Sequence, residues 1–224
     1  MIFSNSLNVL LKIKINISKI KMNPVSKTLI INDGNREYLD YFNSFEHLHI
    51  VKDVETLIID YSTPYFKWGT TLNGLKLKSL KFNGHIDSLY LGIFGRLHYL
   101  KCSGIGLSEL ILNSEIDVVD CSDNNLKKLK INSFYTKSLK CNNNKIQTLI
   151  INECSRIEHI DASFNNIKDF DFSFLEKLKK INLSYNYIRE IKYDICNQEQ
   201  CSFFKSLENL NLYSNPLKEI NIGA

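Results

Sequence analysis

Three prolines, nine glycines and a single tryptophan in 224 residues leave few of the residues that divide a chain into linkers and separate domains. One elongated domain is therefore expected. No apolar run approaches the roughly 18 residues that a membrane-spanning helix needs, which excludes a helical anchor. The opening MIFSNSLNVLLKIKINISK offers only Val9–Leu11 ahead of Lys12, too short an apolar stretch for a secretory signal. A cytoplasmic, intracellular protein is expected, with a secreted one less favoured. Met22, followed by Asn23 and Pro24, is an alternative start that would make the first 21 residues an extension.

Chemistry-bearing motifs are also scarce. There is no nucleophile elbow, Walker loop or dinucleotide fingerprint, and the five histidines fall at no metal-ligand spacing. No catalytic residue, metal or cofactor is expected. A large charge excess is missing too: 28 basic against 24 acidic side chains give +4, which alone does not argue for nucleic acid.

What the sequence does contain is one pattern written five times between Leu97 and Ile191. The copies are LHYLKCSGIGLSEL (97–110), IDVVDCSDNNLKKL (116–129), TKSLKCNNNKIQTL (136–149), IEHIDASFNNIKDF (157–170) and LKKINLSYNYIREI (178–191). LKSLKFNGHIDSLYL (77–91) is a copy one residue short, and LENLNLYSNPLKEI (207–220) is the last. A period near 20 marks a solenoid. Positions one, four, six, eleven and fourteen are apolar, and position nine is Asn124, Asn144, Asn165, Asn186 and Asn215.

That combination resembles the leucine-rich repeat family. The resemblance implies a repeat solenoid, mainly β, with parallel strands on the concave face and short strands and loops on the convex face. It also implies a protein-interaction scaffold. Short coils with Cys at position six look like those of bacteria, protists and large DNA viruses, and heavy use of Asn, Ile and Lys suggests an AT-rich coding sequence. Residues 1–25 are read as an extension or cap, 26–76 as irregular repeats, and 77–224 as regular repeats with an insertion at 192–206.

Stacking alike positions gives columns. Asn at position nine is expected to bridge backbone groups of its own turn and the next. Position six reads Phe82, Cys102, Cys121, Cys141, Ala162, Leu183, Leu212, so these cysteines are read as small apolar fillers. Cys196 and Cys201, with four residues between them in the insertion, are open to pairing in an oxidising compartment. After position fourteen a second short strand is expected in each coil. Phe94, Phe134, Cys154 and Phe174 are expected to fill the outer edge of the core. Short helices are expected around Tyr38–Phe45 and from Gln198 to Lys205. The aromatic segment DYSTPYFKWGTTLNG (60–74) either roofs the core or forms a docking loop.

On the open strand face, charges of opposite sign alternate from rung to rung at positions two and five. A phosphate-binding surface needs an uninterrupted basic stripe, so nucleic acid is disfavoured. The aromatic and charged residues Tyr99, His159, Phe164, Tyr185, Tyr213, Lys140, Asp161 and Lys180 form the candidate concave patch for a protein partner. The alternative is a surface or secreted adhesion-type protein. Ile220 and Ile222 lack a polar closing helix, which raises self-association through the last coil.

Overall fold

The computed structural model describes residues 27–32, 54–68, 77–91, 96–112, 115–152, 156–172, 175–191 and 206–218. The expected N-terminal extension, both expected helices, Cys196 and Cys201, and Ile220 and Ile222 lie outside these residues, as do Phe94, Cys154 and Phe174. Among the described residues no helix is long and apolar enough to cross a membrane.

Fourteen strands are described, and nine of them build one parallel sheet. They are β1 (Thr28–Asn32), β2 (Thr56–Asp60), β4 (Ser79–Phe82), β6 (Leu97–Lys101), β8 (Ile116–Asp120), β10 (Ser138–Lys140), β12 (His159–Asp161), β13 (Lys180–Asn182) and β14 (Asn209–Asn211). They lie side by side in chain order, one per coil. The sheet forms because the strands alternate: positions four and six point inward, while three and five point out.

The register makes the columns literal. Leu29, Leu57 and Leu80 pair in line, and Leu100, Val119, Leu139, Ile160, Ile181 and Leu210 continue that row. All but Leu210 are buried. Each fully buried aliphatic contributes about 1.5–3 kcal/mol by leaving water. TLIIN and TLIID, the first two strands, obey the same register as the regular copies.

The return side carries the expected second strands. β3 (Thr63–Trp68), β5 (Ile86–Leu91) and β7 (Glu109–Leu112) form one parallel sheet. β9 (Lys128–Asn132) and β11 (Thr148–Asn152) form another, and beyond them, among the described residues, single-residue bridges stand at Asp171 and Glu190. Part of the aromatic segment is therefore a strand and not a loop. Phe66 in it is buried and meets Phe82 edge-on, ring centroids 5.1 Å apart, so it joins the two sheets through the core.

Phe134 corrects one expectation. It is half exposed and not an edge filler, because the turn at Phe134 and Tyr135 turns its rings outward and Thr136 takes the inward place. Thr136 is fully buried, and its hydroxyl donates to the Ile116 carbonyl of the preceding coil at 2.8 Å. A polar atom at an apolar position is thereby satisfied. Cys102, Cys121 and Cys141 are buried free thiols in adjacent rungs; burial pushes all three thiols up, and nearby charges add to it.

Candidate interaction surface

From β8 onward, each strand of the main sheet ends in a turn held by the position-nine asparagine. Asn165 shows the full set: its Oδ1 accepts from Ile146 N at 2.9 Å, and its Nδ2 donates to the carbonyls of Cys141, Ala162 and Ser163. Asn124, Asn144, Asn186 and Asn215 repeat the arrangement. The bridge runs to the preceding coil, whereas the sequence suggested the next. The N–H groups at positions six, eight and nine donate forward to the following coil, as Cys141 N does to Asp161 O, and the amide reaches back to carbonyls of the preceding one.

This turn forces position eight into the left-handed region. Gly104 (φ 69°), Asp123 (56°), Asn143 (56°), Phe164 (54°), Tyr185 (56°) and Ser214 (55°) occupy it in successive coils. Gly, Asp and Asn suit that conformation. Phe164 and Tyr185 do not, and their rings project outward, 52% and 45% exposed. They stack face to face with centroids 4.2 Å apart and planes 10° apart. Tyr213, one position earlier in its own coil and 67% exposed, meets Tyr185 edge-on at 5.5 Å.

The other candidate residues lie on the sheet itself. Tyr99, Val118, Ser138, His159, Lys180 and Asn209 form column three; Lys81, Lys101, Asp120, Lys140, Asp161, Asn182 and Asn211 form column five. His159, Lys140 and Lys180 are exposed, and Tyr99 and Asp161 are partly covered. The eight residues thus divide into a strand group (Tyr99, Lys140, His159, Asp161, Lys180) and a rim group at the turns (Phe164, Tyr185, Tyr213). Burial, then Asp120 and Cys102, push the Tyr99 phenol up, keeping it a neutral hydrogen-bond donor.

Charge pairing is concentrated in column two. Glu55 accepts from Lys27 at 2.6 Å and Lys78 at 2.8 Å, and Lys179 pairs with Glu158 at 2.7 Å. The Lys27 and Lys78 hydrogen bonds lower the Glu55 carboxyl to about 2. The bond to Glu158 likewise raises Lys179. Asp117, expected on the open face, is buried, gripped by Arg96 at 2.7 Å and His98 at 3.0 Å. Burial opposes its ionisation, and those two bonds outweigh burial, so its carboxyl sits below the usual value.

Column five behaves differently despite alternating just as well in sequence. Asp120 and Asp161 each turn one oxygen onto the serine two residues on, with Oγ contacts of 2.7 Å, as Asn182 does. These carboxylates brace the left-handed turn. Among the described residues no ion pair within 4.0 Å links neighbours in column five.

No family model matches this sequence, and no curated protein matches it at the sequence level. The fold is similar to the crystal structure of the APL1 leucine-rich repeat domain: TM-score 0.51 and 18% identity, covering 79% of this chain and 54% of that one. The fold is a leucine-rich repeat. The chain spans about half the length of that APL1 domain. The leucine-rich repeat domain of APL1B is matched with TM-score 0.47 and 15% identity over 96% of this chain and 75% of that one. A TLR13–ssRNA13 complex is matched with TM-score 0.37 and 16% identity over 87% and 39%.

Two features of this leucine-rich repeat surface escaped the sequence reading. One is a cluster where Arg96 lies over the Tyr135 ring at 4.8 Å and Arg156 over Phe134 at 4.8 Å. Its members come from the irregular stretches between copies, where no column predicts neighbours. The other is the set of side chains at positions ten and twelve, which a reading of those columns would have revealed. Among the described residues no group of three or more His, Cys, Asp or Glu is arranged to hold a metal ion.

Proposed function

We propose that this chain is a non-enzymatic interaction scaffold that holds a protein partner on its concave strand face and the aromatic rim beside it. The observation that carries this reading is the Phe164–Tyr185 stack. Placing a bulky residue in the left-handed region costs about 1–2 kcal/mol each. An aromatic pair returns only about 0.5–1.5 kcal/mol beyond its buried area. Stability alone therefore does not account for two rings at positions where Asn and Asp fit without strain. Exposed rings flanked by polar groups are what binding hot spots are made of.

The strand group complements the rim. Lys140, His159 and Lys180 leave water-exposed donors on a rigid sheet, a geometry that orients a partner without a reaction centre. The test is affinity capture from the native host with the wild type, a strand variant (Lys140→Glu with Lys180→Glu) and a rim variant (Tyr185→Asn with Tyr213→Asn). Loss of the same captured protein in both variants, with unchanged thermal unfolding, supports the reading. Identical capture by all three rejects it.

A further inference from the structure

Beyond the turn, chain direction alternates strictly: position nine is inward, ten outward, eleven inward, twelve outward. Positions eight, ten and twelve therefore share one edge of the solenoid. That edge carries one exposed cation in each of five consecutive coils: Lys127, Lys145, Lys168, Arg189 and Lys218. Lys127, Lys168, Arg189 and Lys218 fall at position twelve, where Gln147 N donates to Lys127 O and Lys218 N to Arg189 O; Lys145 stands two residues before Gln147, at position ten. Among the described residues none of the five has an ion-pair partner within 4.0 Å, in contrast to column two. Asp169 and Glu190 follow at position thirteen and Asp123 stands at position eight, so carboxylates flank the cations in three of these coils.

In the last three coils the same edge holds the rings of Phe164, Tyr185, Tyr187 and Tyr213, all at least 45% exposed. We propose that this edge binds an acidic, extended segment of the protein partner. The proposal rests on the scaffold reading and adds the partner's chemistry. An extended chain laid along column ten sends alternate side chains toward opposite sides. Apolar ones then meet the rings of column eight, and carboxylates meet the cations of column twelve. The rims of stacked rings are electropositive, which suits an acidic neighbour.

Single-stranded nucleic acid also seeks cations and rings, but it needs open ring faces for its bases. Here Phe164 and Tyr185 cover each other at 4.2 Å, and Tyr213 stands against Tyr185, so no slot for a base exists between them. The observations favour the peptide.

The experiment measures fluorescence anisotropy of two labelled probes on the full chain. One is a peptide of about twelve residues alternating Glu and Leu; the other is an oligouridine of about twenty nucleotides. The peptide should bind, weaken on raising salt from about 50 to about 200 mM, and weaken about tenfold in Lys168→Glu/Arg189→Glu/Lys218→Glu. The neutral Lys168→Gln/Arg189→Gln/Lys218→Gln variant, which adds no repulsion within the fold, should lie between. Absence of peptide binding, indifference to both triple variants, or tighter binding of the oligouridine each overturns the proposal. Peptide failure with partner capture still sensitive to Lys140→Glu and Lys180→Glu sinks the edge alone; insensitivity of capture as well sinks the scaffold reading with it.

Discussion

The coils before residue 112 and those after 115 close the same turn by different means. Position nine is exposed His85 in one early coil and buried Ile105 in the next, and neither side chain can serve the bend as asparagine does. There the backbone bonds coil to coil directly, Thr63 N to His85 O and Ile86 N to Ile105 O, both at 2.8 Å. Gly84 permits that closeness, since a Cβ would strike the Tyr61 carbonyl. The return side is correspondingly well paired as β3, β5 and β7.

Later coils reverse the balance. There the asparagines add their bonds to backbone ones such as Asn165 N to Tyr185 O, and among the described residues the return-side sheet shrinks to β9 with β11 and then to isolated bridges. Order has moved from the return strand to the turn. In the last three coils the outward positions beside the turn carry rings and cations.

Breaking the asparagine ladder should give the largest effect. Asn165→Ala would leave Ile146 N without its acceptor and take one donor from each of the carbonyls of Cys141, Ala162 and Ser163, which keep Asn144, Asn186 and the Asn143 N–H. At about 1–3 kcal/mol for the unmet N–H and about 0.5–1.5 kcal/mol for each of the other three bonds lost, a loss of about 3 kcal/mol or more in urea unfolding is expected. A loss under about 1 kcal/mol would mean that the later coils do not depend on their asparagines. In the early coils the counterpart is Ile105→Ala, where the cost is a cavity of about 2–4 kcal/mol and no unmet polar group arises.

The cysteine column spans the boundary between the two regions and sharpens the comparison. Cys121→Ser puts a stronger polar group where no partner is waiting, and should cost about 1–3 kcal/mol. Because Cys102, Cys121 and Cys141 are buried with raised thiols, they should react with a thiol reagent only as fast as the chain unfolds. Prompt labelling of these three in native protein, mapped by mass spectrometry, would contradict the packing.

Acid should act on the early coils through Glu55. Glu55 is lowered from 4.5 to about 2 by its lysine partners, so its contribution is complete above the unfolded value near 4.5. It is lost as pH falls from there toward 2. Glu55→Gln should flatten that part of the stability profile, and high salt should do the same, because both lysines are largely exposed. An unchanged acid limb in the variant would show that the pairs do not persist in solution.

The core was legible because its periodicities are physical ones. Inward positions recur every coil, and a missed apolar residue would leave a hole, so Leu100, Val119, Leu139 and Ile160 could be aligned by eye and do share a row. Outward positions are less constrained, and there the reading was partial. Asp120 and Asp161 alternate with lysines in sequence but spend their oxygens on the turn, a choice set by a serine two residues away. Phe134 was misplaced because nothing between copies fixes which residue faces in. The left-handed conformation of position eight gives no sign in the sequence where the residue is Phe or Tyr.

That last point yields the smallest and most diagnostic prediction. Tyr185→Asn removes one ring of the stack, a loss of about 0.5–1.5 kcal/mol, and relieves a comparable cost by placing in the turn a residue that tolerates it. The two nearly cancel, so stability should move by less than about 1 kcal/mol. Tyr185→Ala loses the ring and keeps the strain of a Cβ without a side chain able to bond locally. It should therefore be the less stable of the two. A clear stability loss in Tyr185→Asn would mean that the rings hold the coil together and were kept for packing, which removes the main support for a binding rim. Equal stability with lost partner capture would place the role of Tyr185 on the outside of the molecule, where its ring faces solvent.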